Sequence, residues 1–262
     1  MKEFFGIGGY QRTPEGFLSW QHILFVSCFM VAMVALAIYF GRKFRDRSEE
    51  EKNKVLLLTA IILDTSEVFR IIMACITSED PMRWLYELPL FLCGIPLILI
   101  PLAALSKGRV REASLDFVLI FGILGAVLGT YGAGQNYNAY PVLSFNNVIS
   151  AVTHTISGFA SLYIVISGMD SMKKKNIWIS FCILFGFCAM AFTANSLLDY
   201  NYMFLVRGDG TPYDIFYNLV GGNPVLYPMT VILLFLLYIA AFYGVYHLVK
   251  RKELKCDDPE QN

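Results

Sequence analysis

The sequence predicts an all-α polytopic membrane protein, a bundle of seven transmembrane helices with the N-terminus outside and the C-terminus cytoplasmic. Three observations predict it. The 262 residues are 56% hydrophobic and only 16% charged, against about 25% charged in soluble domains. The mean hydropathy is +0.54. The apolar residues fall in long runs of roughly the 20 residues that a bilayer-spanning helix needs. The basic residues alternate between successive inter-run segments.

Seven runs are predicted as spans, at about 22–40, 55–76, 88–105, 115–131, 148–168, 177–198 and 225–248. Runs this long mean helices, because backbone polar groups in lipid must be satisfied within the segment. No loop is long enough for a second domain, so one integral membrane domain is expected over 1–262. The first twenty residues lack the apolar core of a signal peptide, so the first span is expected to remain as an anchor.

The topology follows from charge. Sixteen of the 21 Lys and Arg residues lie in the first, third and fifth inter-span segments and the tail, from Arg42 to Lys54, Lys107 to Arg111, Lys173 to Lys175 and Lys250 to Lys255. The alternate segments hold Lys2, Arg12, Arg83 and Arg207. Basic residues flanking spans stay on the cytoplasmic side, which sets the orientation. Trp20, Trp84 and Trp178 sit at span ends, as interfacial anchors do. A multi-pass protein of the cell membrane, in contact with the lipid bilayer, is therefore expected.

Composition excludes several functions. A net charge of zero gives no nucleic-acid signature. The six cysteines have no Cys-x-x-Cys pair and no histidine at metal spacing, so no metal, cofactor or disulfide framework is expected. The absence of an internal repeat weighs against an inverted-repeat transporter. The oligomeric state is left open.

Ionisable groups inside spans mark sites or pack against protein. The second span carries Asp64, Glu67 and Arg70; Glu67 and Arg70 fall in its outer half. Cys93 is expected within the first two turns of the third span, on one face with Pro89 and Pro96. The fifth span meets Asn146, Asn147 and then His154. The sixth ends with Asn195 and Asp199, four apart on one face. Glu67, Arg70, Cys93, His154 and Asn195 thus converge on the outer half, with Asp199 and His22 nearer the surface. The inner halves are expected to hold almost nothing comparable.

Ser150, Ser157, Gly158 and Ser161 share helical spacing with His154, and small residues mark helix contacts, so His154 is expected to face the bundle. Gly122, Gly125 and Gly129 make the fourth span a close-packing helix. The aromatic loop 199–224 is either a cover over the cluster or an interfacial belt. The cluster itself admits plainer readings: Cys93 as a small buried hydrophobe, Glu67 and Arg70 as an intrahelical pair, His154 as an interhelical hydrogen bonder.

Three stretches carry a family resemblance: Glu87-Leu88-Pro89-Leu90-x-Leu92-Cys93, His154 in a later span, and Asn201-Tyr202-Met203-Phe204-Leu205 with Pro212 and then Gly221-Gly222-Asn223-Pro224. The chain resembles the YwaF-type integral membrane proteins of bacteria, related to the eukaryotic acyltransferase transmembrane protein 164. The resemblance implies acyl transfer between phospholipids through a Cys–His pair, carried over to Cys93 and His154. It also implies a phospholipid or fatty-acyl substrate. From their depth in the spans, Glu67, Arg70, Asn195, Asp199 and Asn147 are expected as supporting or substrate-binding residues. Phe91 stands where the family commonly has a histidine. Gly221-Gly222-Asn223-Pro224 replaces a Gly-Pro-Trp-Pro-like turn. The expected function is a membrane-embedded lipid acyltransferase or acyl hydrolase. The alternative is a non-enzymatic transporter or receptor with a polar intramembrane binding site.

Overall fold

The computed structural model describes the backbone of residues 1–256 and the side chains of residues 1–250. It is all-helical, with no strand among the described residues. The helices are α1 (Trp20–Phe44), α2 (Glu49–Thr77), α3 (Ile95–Leu105), α4 (Gly108–Tyr131), α5 (Gly134–Ala139), α6 (Phe145–Ile166), α7 (Ile177–Leu198), α8 (Asp214–Leu219) and α9 (Leu226–Cys256). Short 3-10 turns occupy Arg83–Glu87, Lys174–Asn176 and Tyr202–Phe204.

A helix occupies each of the seven predicted stretches. Five of these helices, α1, α4, α6, α7 and α9, are long and apolar enough to cross a membrane. Helix α2 is long enough, but Asp64, Glu67 and Arg70 interrupt its apolar run. Helix α3 is apolar but has only 11 residues, a rise of about 16 Å, against a hydrocarbon core of about 30 Å.

The third predicted span is therefore corrected. Residues 88–94 are not helical; the chain turns twice, with Leu90 N–H donating to Leu88 O at 2.7 Å and Gly94 N–H to Phe91 O at 2.8 Å. Pro89, Cys93 and Pro96 thus share no helix face. Pro96 lies in the first turn of α3, where its missing N–H costs nothing. Gly94 permits the turn, because a Cβ there would lie 3.0–3.2 Å from the backbone of Pro89. Sequence hydropathy alone does not register such a break.

Helices α4 and α6 form the centre. Residues Ala113 to Gly122 of α4 are all buried. A Cβ on Gly122 would meet Ser157 O at 2.7 Å and Ser161 Cβ at 2.9 Å, and Ser161 Oγ donates to Leu119 O at 2.7 Å. Small residues here let the two backbones approach, as predicted. Helices α1, α2 and α3 pack around this pair, and α7 with α9 close the far side.

The basic end of the bundle holds one buried polar cluster that the sequence reading did not anticipate. Asp116 is fully buried. It accepts hydrogen bonds from Ser171 Oγ (3.0 Å), Met172 N (2.8 Å), Asn176 Nδ2 (3.0 Å) and Tyr243 OH (3.0 Å). One carboxylate thereby fixes the α6–α7 connection and α9 to α4. Its lone pairs are filled by protein donors, which identifies it as structural.

Candidate functional site

The other end of the bundle gathers the N-terminal segment, the α2–α3 connection, α5 and the loop 199–224. Phe17 N–H donates to Asn138 Oδ1 at 2.9 Å, Val142 N–H to Glu15 at 2.7 Å, and Phe145 N–H to Phe4 O at 2.8 Å. Beneath them lies a cavity of about 560 Å³, within the range of small-ligand sites.

One wall of the cavity is charged. Arg70 on α2 donates to Glu67 through Nε (3.0 Å) and Nη2 (2.7 Å), a two-point contact one turn back. Its Nη1 donates to Glu87 at 2.5 Å, and Arg83 also pairs with Glu87. Glu87 is 9% exposed and Arg70 26% exposed. The intrahelical pair expected from spacing thus exists, but it is half of a network tying α2 to the turn that leads into Cys93. Glu87 and Arg83 were missed as site residues. Their signal was present, as a carboxylate opening the Glu87–Cys93 motif with an arginine four residues earlier.

Hydroxyl and amide groups form the opposite wall: Asn136 and Tyr140 around α5, and Asn146, Ser150 and Thr153 on α6. Thr77, Ser78 and Arg83 also line the cavity. Tyr200 reaches in from the loop. Burial raises its pKa above the ordinary phenol value, so it is a neutral hydrogen-bonding group at physiological pH.

Cys93 and His154 both line this cavity. Cys93 is exposed, and that exposed surface includes cavity wall; His154 is half-buried. Helix α4 holds the two together. A Cβ on Gly125 would lie 3.6 Å from Cys93 Cβ, and one on Gly129 would overlap the His154 ring. Gly125 and Gly129 are i,i+4 neighbours, so Cys93 and His154 rest on one face of α4 about a turn apart.

The remaining expected residues lie elsewhere. Asn195 is buried against Tyr202, accepting from its N–H (2.6 Å) and donating to its carbonyl (3.0 Å). Asp199 is the C-cap of α7 in the left-handed conformation. Asn147 donates to Tyr140 O (3.1 Å) and Pro141 O (3.0 Å), and its neighbour Asn146 takes the cavity wall. His22 is buried, accepting from Leu18 N–H at 3.1 Å, with Nε2 3.2 Å from Thr130 O. Asp64 lies one turn before Glu67, with a buried oxygen lacking a protein partner. Asn195, Asp199 and Asn147 shape the surroundings and do not line the cavity.

The loop 199–224 is folded into the bundle. Tyr202 and Met203 are fully buried. Tyr202 OH accepts from Leu88 N–H at 3.3 Å and donates to Leu85 O at 2.5 Å. Asn201 knots the loop, its Oδ1 accepting from Val206 N–H (2.9 Å) and its Nδ2 donating to Arg207 O (2.7 Å) and Asp209 (2.8 Å). Phe91 packs its ring against Tyr200, Tyr202 and Phe204, at centroid distances of 6.4, 5.3 and 5.8 Å. Phe91 is thus an aromatic contact between loop and cavity.

Asn195→Ala should therefore act through the loop. It removes two hydrogen bonds and strands a buried amide and carbonyl, a loss of about 1–3 kcal/mol. Limited proteolysis should show earlier cleavage within 199–224, without loss of α-helical signal in circular dichroism.

The class defined by these features is a multi-helix membrane protein with a polar cavity sunk into one end of its bundle. Residues 17–246 match the model of the TMEM164 family, and the chain belongs to that family. No curated protein and no solved structure matches the chain.

Proposed function

We propose that this chain is a lipid acyltransferase or acyl hydrolase of the cell membrane, working through Cys93 and His154. It crosses the bilayer seven times as one domain, the third crossing made by the non-helical 88–94 segment together with α3, with the cavity end outside and the basic end in the cytoplasm. The observation that carries the reading is that Cys93 and His154, from separate elements, line one cavity and rest on one face of α4. Family membership supports it. The alternating basic segments support the orientation.

The chemistry is nucleophilic catalysis. His154 accepts the Cys93 proton as the thiolate attacks a lipid ester carbonyl. The C–O bond breaks, the thioester forms on Cys93, and the leaving alcohol takes the proton from His154. An acceptor hydroxyl, from a lyso-lipid or water, then gives its proton to His154 and attacks the thioester, and the thiol is restored. Glu67 lies in the same cavity, where it holds Arg70. Arg70 is the donor for the developing oxyanion or for a headgroup phosphate. Asn147, Asn195 and Asp199 support the site through its walls and loop.

The test is labelling with a thiol-reactive lipid acyl probe. Cys93 should be the labelled residue, and His154→Ala should slow labelling by about 10²-fold or more. Labelling that persists in Cys93→Ala, or is indifferent to His154, contradicts the proposal. Binding of lipid that survives both substitutions would favour a transporter or receptor instead.

A further inference from the structure

We propose that Gly129 is a positioning residue, whose missing side chain lets the His154 imidazole lie against the α4 backbone one turn from Cys93. The inference rests on the Cys93–His154 reading above and extends it to a residue that touches neither substrate nor proton.

A Cβ built on Gly129 overlaps Cε1, Nδ1 and Nε2 of His154. The neighbours thus include both nitrogens, the atoms that would handle a proton. A rigid methyl on α4 could be accommodated only by moving the ring. At Gly125 the same construction gives an ordinary 3.6 Å contact with Cys93 Cβ. The two glycines therefore act differently. Gly125 adjoins the turn carrying Cys93, while Gly129 sets how deeply the imidazole seats.

The seat matters because the pair comes from distant parts of the chain. Cys93 lies in the turn before α3, and His154 lies on α6. Both α3 and α6 pack on α4 as well as on α2, and α4 is the helix whose glycines both Cys93 and His154 adjoin. The spacing of nucleophile and base is then set by one turn of α4, with about 5–6 Å between the i,i+4 Cβ positions. Displacing a catalytic group by about 1 Å costs on the order of 10²-fold in rate.

The experiment uses the full-length protein in lipid nanodiscs and follows alkylation of Cys93 by a small thiol reagent across pH, together with Tm. The variants are Gly129→Ala, His154→Ala, their double, and Gly186→Ala. Gly186 is the control, since a Cβ there meets nothing within 4 Å. In the wild type the pH profile should carry a component that His154→Ala removes. Gly129→Ala should remove it too and slow alkylation at neutral pH by on the order of tenfold to a hundredfold. Gly186→Ala should keep the wild-type profile. In the His154→Ala background, Gly129→Ala should lower Tm far less than in the wild type, because the clashing ring is gone. This comparison still decides the matter if Gly129→Ala alone does not fold: recovery in the double variant supports the seat, and no recovery overturns it. A wild-type profile in Gly129→Ala also overturns it. A wild-type protein whose profile ignores His154 counts against the acyl-transfer reading, and the Tm comparison then decides the seat separately.

Discussion

Cys93→Ala is expected to abolish acyl transfer while leaving the fold in place. On the proposed reading Cys93 is the nucleophile, and no other described thiol shares its cavity. The other described cysteines, Cys28, Cys75, Cys182 and Cys188, do not line it. Losing a covalent nucleophile lowers turnover by a factor on the order of 10⁴ or more. Stability should barely change, by about 0.5 kcal/mol or less, because Cys93 is an exposed residue on the cavity wall. Phospholipid turnover in reconstituted vesicles and thermal unfolding of the same preparation check the two halves together. A substantial fall in Tm alongside the loss of turnover would make Cys93 a packing residue.

Arg70→Leu is expected to have the largest effect on stability. Arg70 is the link between Glu67 on its own helix and Glu87 on the turn leading to Cys93. Its removal leaves Glu67 without its partner and Glu87 with Arg83 alone, both largely out of water. Breaking a buried pair by deleting one member costs about 3–5 kcal/mol. The partial exposure of Arg70 points to the lower end of that range. Arg70→Lys should recover only part of the loss, because an ammonium cannot reproduce the two-point contact with Glu67 while reaching Glu87. Adding Glu67→Gln to Arg70→Leu should recover stability, since the orphaned charge disappears. Unfolding in mild detergent measures all three. Equal stability of Arg70→Leu and wild type would show that the network carries no structural weight.

Helix positions were legible because hydropathy over about 20 residues is a strong local signal, and α7 begins and ends where expected, at Ile177 and Leu198. The third span was misread for a physical reason. Leu, Ile and Phe around Pro89 and Pro96 read as apolar whether or not they are helical, and the break depends on Gly94 meeting Pro89. Cys93 therefore sits on a turn, not on a helix face. Glu67, Arg70, Cys93 and His154 were placed at one depth by counting along their spans, and they do line one cavity. Depth alone also selected Asn195, whose amide in fact holds Tyr202. Depth cannot say which way a side chain faces. Glu87 and Asp116 lay just at the edges of predicted spans, where a carboxylate looks like an ordinary helix-end residue. Their roles come from partners 17 and at least 55 residues away in sequence.

Acyl transfer or hydrolysis through Cys93 should leave its mark on cellular lipids. The most direct measurement is a lipidomic comparison of cells making equal amounts of the wild-type chain and of Cys93→Ala. The wild type should shift the acyl composition of the phospholipids, or raise lyso-lipid and free fatty acid, and Cys93→Ala should do neither. Identical lipid profiles from the two proteins would contradict it.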